Sequence, residues 1–296
     1  MLFHGLSAFP ITPADERGRV NIGELAGLVE RLGTAGVDSV GLLGSTGSYM
    51  YLSRAERRRA IEAAVDCLRG ETPLIVGVGA LRTDDARTFA HDAQAAGADG
   101  LLLAPVSYTP LTDEEVFQHF AAVAAATDLP LCIYNNPGTT HFSFSNALLR
   151  RLADIARIVA VKYPALPSPD VKTLHGELQS TLPEGFAIGY SGDWNAAGAV
   201  LAGGVTWYSV VAGLLPEPAL KLMRAAQAGD AAEVQRINGH FEPLWALFRE
   251  LSSYRVVYAA ANGMGLCRAD PPRPMLPLPA GDQQRVMQAI AALDQV

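Results

Sequence analysis

The chain has 296 residues, of which 49% are hydrophobic and 18% charged, and its net charge is −7. That composition excludes a disordered chain, and the acidic balance excludes an electrostatic footprint for nucleic acid. The length leaves room for two ordinary domains or one large barrel. No stretch is long and apolar enough to cross a bilayer, so no membrane partner is expected. The start, Met1-Leu2-Phe3-His4-Gly5, lacks the basic and apolar regions of a signal peptide. Cys67, Cys132 and Cys267 are widely spaced and odd in number, which reads as free thiols in a reducing, cytoplasmic setting rather than a disulfide framework or a zinc site.

Short apolar runs alternate with amphipathic helical segments in chain order. Gly5 to Pro10 is the first run. Asn21 caps a helix through about Leu32, with Glu24 placed as in a capping box. Val37 to Leu43 reads as a second strand, and Ser53 with Glu56 opens the next helix in the same way. Pro73 to Gly79 is a third strand, followed by a helix from Asp84 to Ala96. Ala98 to Ala104 is the fourth, with Thr112 and Glu115 capping the helix after it. Pro130 to Tyr134 is the fifth, followed by a helix near Ser145 to Ala153. Ile158 to Lys162 is the sixth strand and Phe186 to Tyr190 the seventh, with no element assigned between them. A helix from Trp194 to Ala202 and a strand from Val205 to Val210 complete the series.

Eight strands alternating with helices predict an α/β fold, a (β/α)8 TIM barrel. The runs are continuously apolar because parallel strands are covered on both faces. A doubly wound open sheet competes, but no Gly-x-Gly-x-x-Gly turn follows the first strand. Pro216 onward reads as helices over about Pro218–Ala228, Ala231–Ser252, Tyr254–Met264 and Asp282–Leu293. The expected division is a barrel over residues 1–215 and a helical extension over 216–296 packed on it.

Barrel chemistry sits at the carboxyl ends of the strands. The sixth strand carries Lys162 at the end of the run Ile158-Val159-Ala160-Val161. Burial disfavours a charged amine, and a neutral amine is a nucleophile for carbonyl carbon. The bland reading is a lysine that pairs with an acid or reaches the rim. The second strand ends in Gly44-Ser45-Thr46-Gly47-Ser48, which can cradle an anion or be an ordinary βα turn. The fifth ends in Tyr134-Asn135-Asn136-Pro137-Gly138-Thr139-Thr140. Its tyrosine is either a core residue or a proton carrier. Adjacent strand ends bring Tyr134 near Lys162, and an amine, a phenol and a carboxylate cradle are the parts that handle a 2-oxo acid.

Together the motifs Gly44-Ser45-Thr46-Gly47, Tyr134-Asn135-x-Pro137, Val161-Lys162 and Ser191-Gly192-Asp193 resemble those of the dihydrodipicolinate synthase / N-acetylneuraminate lyase family of class I aldolases. The resemblance runs over essentially the whole chain. It implies a (β/α)8 barrel with a C-terminal helical extension, a homotetramer built as a dimer of dimers, and no cofactor or metal. It implies Lys162 as the Schiff-base lysine, Tyr134 as proton shuttle, Ser45, Thr46 and Gly47 around the substrate carboxylate, and a small-molecule 2-oxo acid such as pyruvate as substrate. Thr139 and Tyr208 are expected to line the substrate pocket, with Thr140, His141, Tyr190 and Trp207 near it.

Four features depart from the family pattern. An arginine two residues after the motif proline is expected of lysine-pathway synthases, and Thr139 stands there. The tyrosine that completes the relay across a dimer interface is replaced by Ser107, with Tyr108 next to it as the candidate substitute. Sialic acid lyases carry an acidic pair where this chain has Ser191-Gly192, and Leu81, Arg54 and Arg57 do not form the family's lysine-inhibition site. The expected activity is therefore a Schiff-base lyase, aldolase or dehydratase. An authentic 4-hydroxy-tetrahydrodipicolinate synthase and a non-catalytic 2-oxo-acid-binding barrel are the alternatives. A class II aldolase would need clustered histidine ligands, and the six histidines are scattered.

Overall fold

The computed structural model describes residues 2–295. Eight parallel strands close into a barrel in chain order. They are β1 (Gly5–Ala8), β2 (Ser39–Leu42), β3 (Leu74–Gly77), β4 (Gly100–Leu103), β5 (Leu131–Tyr134), β6 (Ile158–Pro164), β7 (Ala187–Ser191) and β8 (Thr206–Ser209). The connecting helices are α1 (Ile22–Ala35), α2 (Arg54–Leu68), α3 (Thr83–Ala96), α4 (Asp113–Ala124), the one-turn α5 (Pro137–Thr140) with α6 (Asn146–Ala153), α7 (Asp170–Thr181) and α8 (Asp193–Leu201). The expected barrel is the observed one.

Differences from the sequence reading have local causes. Most strands are shorter than their apolar runs, because residues flanking each strand are buried without joining the ladder. β6 is longer, since Tyr163 and Pro164 stay in register with Tyr190 and Ser191. Helix α7 fills the stretch left unassigned and buries Val171, His175 and Leu178 at helical spacing. Of the three expected capping boxes only Thr112–Glu115 closes in both directions. The Glu24 carboxylate instead accepts from the Arg268 N–H at 3.1 Å. That of Glu56 accepts from the Val20 N–H at 2.8 Å.

After the barrel come α9 (Pro216–Gln227), α10 (Ala231–Leu251), α11 (Ser253–Gly263) and α12 (Ala280–Ala291). Helix α10 runs on through Pro243, although proline removes one ladder N–H. Helix α9 packs on α8 and β1, α10 on α8 and α9, and α12 on α10 and α11. Among the described residues no helix is long and apolar enough to cross a membrane.

Side-chain alternation divides the barrel into two apolar layers. Phe9, Ile75, Leu102, Cys132, Tyr134, Ala160, Ala187 and Tyr208 meet inside the barrel. Leu6, Val40, Val76, Leu101, Ile133, Val161, Ile188 and Trp207 face the helices. Gly189 makes the inner layer possible at β7, because a Cβ there would lie 2.6 Å from the Tyr208 ring. The three cysteines are free thiols, two of them buried.

Candidate active site

Lys162 pairs in register with Tyr134 on β5 and Gly189 on β7. It therefore points inward near the carboxyl end of the barrel, and it is only 4% exposed. Its Nζ lies 4.1 Å from the Phe9 ring centroid, 4.3 Å from that of Tyr134 and 5.4 Å from that of Tyr208. Among the described residues none of the ion pairs involves Lys162. Three aromatic faces hold the amine in place of an acid. That arrangement positions a nucleophile without neutralising it in a salt bridge.

The Tyr134 hydroxyl hydrogen-bonds with Ser45 Oγ at 3.3 Å. It also accepts from Asn136 Nδ2 at 3.0 Å. Asn136 Nδ2 donates in turn to Thr139 Oγ1, again at 3.0 Å. A connected polar line thus runs from the turn after β2 through the phenol to α5. The structure brings Ser45, Tyr134 and Lys162, which the sequence reading grouped, to one end of the barrel. The sequence reading left Asn136 unassigned, because the motif admits any residue at that position.

The turn after β2 is bounded by two non-glycine residues in the left-handed region, Leu43 with φ 55° and Ser48 with φ 58°. Such conformations cost about 1–3 kcal/mol each and persist where the surroundings over-determine them. At the first end Leu43 O sits against Gly77, where a Cβ would lie 1.9 Å from it. At the second, Ser48 Oγ hydrogen-bonds with Tyr254 Oη at 2.6 Å and Tyr258 Oη at 2.9 Å, both on α11. Between these anchors Ser45 is half-buried, and Thr46, Gly47 and Ser48 are buried. The loop is a fixed feature with the Ser45 hydroxyl beside the Tyr134 phenol, suited to hold a carboxylate.

Other expected residues fall elsewhere. Tyr190 and Trp207 pair across β7 and β8 and face the helix layer, not the pocket. Tyr190 Oη meets His175 Nδ1 at 3.0 Å. Trp207 Nε1 donates to Asp193 at 2.9 Å, and the same carboxylate accepts from Val211 N–H at 2.7 Å. Burial pushes the Asp193 carboxyl up from the usual carboxylate range while these N–H groups pull it back, and the role of Asp193 is to tie β8 to the start of α8. His141 and Thr139 are exposed at the end of α5, and Thr140 is buried. Tyr208 lies inside the barrel, fully buried beneath the amine. Tyr108 is 97% exposed, and Ser107 donates to the Thr109 carbonyl of its own loop, so within one chain neither reaches Tyr134. Arg57 is packed between the Tyr49 and Phe89 rings, and burial lowers its pKa to about 10. Arg54 is paired with Asp92 at 2.6 Å.

A buried lysine, a phenol and a hydroxyl turn at the carboxyl mouth of a (β/α)8 barrel define a lyase of the class I aldolase type. Residues 2–293 match the family described as the dihydrodipicolinate synthetase family. The chain belongs to that family. A curated 4-hydroxy-tetrahydrodipicolinate synthase from Azoarcus is 36% identical, with 95% of this chain and 94% of the relative covered. One from Neisseria meningitidis serogroup B is 32% identical with 97% of each covered. Among solved structures, the dihydrodipicolinate synthase of Agrobacterium tumefaciens is 62% identical, with a TM-score of 0.97 over 98% of each chain. The chloride-inhibited dihydrodipicolinate synthase of Acinetobacter baumannii, complexed with pyruvate, is 29% identical, with a TM-score of 0.90 over 99% of this chain and all of the other.

Proposed function

We propose that the protein is a Schiff-base lyase acting on pyruvate or a related 2-oxo acid, with Lys162 as nucleophile and Tyr134 as proton shuttle. The observation that carries this reading is the Lys162 amine framed by aromatic rings, with the Tyr134–Ser45 hydroxyl pair beside it. Ser45, Thr46 and Gly47 hold the carboxylate. Lys162 Nζ forms a bond to C2, and the carbonyl oxygen takes a proton to give a carbinolamine. A further proton, delivered by Tyr134, lets that oxygen leave as water and yields the iminium. Loss of a C3 proton gives the enamine. The enamine carbon then adds to an aldehyde, or, where a longer 2-oxo acid carries a hydroxyl on C4, its enamine expels that group, which leaves as water on taking a proton.

Thr139 sets the second substrate in this reading. It is neutral, exposed and occupied with Asn136, so the site offers no cation there for an aldehyde bearing a carboxylate. The relatives' names favour the second reading, in which aspartate semialdehyde is the partner. The test is borohydride reduction with pyruvate, followed by peptide mapping and then an aldehyde screen. A stable adduct on Lys162, absent in Lys162→Ala, is expected. A Lys162→Ala variant with full activity would sink the mechanism, and rapid condensation with aspartate semialdehyde would select the second reading.

Residues 216–296 act in this proposal as an extension that works with the barrel, since α11 anchors the turn after β2. The free thiols fit a cytoplasmic setting. A homotetramer built as a dimer of dimers is supported by the exposed apolar side chains Met50, Tyr51, Leu81 and Tyr108, which crowd the loops after the consecutive strands β2, β3 and β4. Sedimentation equilibrium is expected to give a tetramer, and a monomer at micromolar concentration would remove that part of the proposal.

A further inference from the structure

The phenol that moves protons must hold its own proton in a definite direction. Among the described residues, the hydrogen-bond partners of Tyr134 Oη are Ser45 Oγ and Asn136 Nδ2. These two groups are not equivalent. A hydroxyl can donate or accept, whereas an amide nitrogen only donates. The Asn136 N–H therefore occupies a lone pair of Oη, and the Tyr134 proton is left to point toward Ser45 Oγ or toward a bound substrate oxygen. The second N–H of Asn136 is fixed by Thr139 Oγ1. The backbone carbonyl of Asn136 accepts from the Thr139 and Thr140 N–H groups at 2.9 Å, which locks the residue at the start of α5.

We propose that Asn136 is a positioning residue for the reaction, setting the direction of the Tyr134 proton and stabilising the phenol oxygen when that proton is given up. The proposal rests on the Schiff-base reading of Lys162. Its physical basis is that a hydrogen bond to an oxygen gaining negative charge is shorter and roughly twice as strong as one between neutral groups. The amide thus contributes little to substrate binding and more to each proton transfer. Thr139 takes part as the acceptor of the second N–H of that amide. The relay Ser45–Tyr134–Asn136–Thr139 lies entirely within one subunit.

The experiment compares the wild type with Asn136→Val and Thr139→Val. Two readouts are used: steady-state kinetics, and exchange of the pyruvate C3 hydrogens for deuterium in D2O followed by NMR. Exchange reports iminium and enamine formation without any aldehyde. For Asn136→Val, exchange rate and kcat are expected to fall about ten- to hundredfold. KM for pyruvate should stay within about threefold, because the carboxylate turn is untouched. Prolonged incubation with borohydride should still label Lys162. Thr139→Val should shift the same rates in the same direction by less, and it carries the test if Asn136→Val fails to fold. Exchange and kcat unchanged in both variants would overturn the role of Asn136, as would a loss confined to KM. Wild-type protein that neither exchanges C3 hydrogens nor forms an adduct would instead overturn the Schiff-base reading itself.

Discussion

His119 and His175 are 8% and 3% exposed, and each has a buried Nε2 without a hydrogen-bond partner in the structure. Thr83 Oγ1 occupies Nδ1 of the first and Tyr190 Oη that of the second. Burial holds both imidazoles below their usual value of 6.5. The unfolded chain therefore binds more protons than the folded one once pH falls below about 6.5, so stability falls with pH there. The midpoint of thermal unfolding is expected to drop between pH 7 and pH 5. His175→Phe should lessen that drop, and a variant with an unchanged slope would show that the ring protonates in place without cost. These residues also mark how far the sequence could be read. Scattered histidines spoke against a metal centre, and the place of Lys162 at the carboxyl end of a buried strand was legible from the apolar run before it. The facing of Tyr190 and Trp207 did not follow, because alternation has only two phases and the register that selects between them is set by pairing across β7 and β8.

At the level of elements, the turn after β2 depends on a helix more than two hundred residues away in sequence. The left-handed Ser48 is held by two phenols of α11 one helical turn apart, Tyr254 and Tyr258. Losing one such hydrogen bond costs about 1 kcal/mol, or roughly a fivefold change in an equilibrium. Tyr254→Phe is expected to raise KM for the 2-oxo acid about fivefold with kcat nearly unchanged. An equal loss in kcat at constant KM would assign the pair to chemistry instead of binding. The glycine and hydroxyl content of the turn was visible in the sequence as a cradle. Its anchorage was not, because nothing local in Ser48 or Tyr254 encodes a contact of that separation. The same applies to Glu24 and Glu56, whose capping spacing was legible but whose carboxylates are engaged by Arg268 and Val20.

For the whole molecule, eight apolar runs sufficed to specify closure, since parallel strands covered on both faces have few other architectures. The helix between β6 and β7 was unassigned, yet the barrel count held, because a parallel crossover must be filled by some element. The exposed apolar side chains on the loops after β2, β3 and β4 belong to this scale too, because the proposed tetramer is the assembly that would cover them.

The clasp between Ser48 and α11 also has a consequence in time. Ser48 and Tyr258 are 210 residues apart. At roughly 5–20 residues per second, a ribosome delivers the second about 10–40 s after the first. Lys162 emerges before α11 does, but the turn proposed to receive the substrate carboxylate is still unclasped at that stage. In the proposed reading competence therefore arrives late in synthesis, when the barrel strands are already made, and an unfinished chain carries Lys162 with its receiving turn still unclasped.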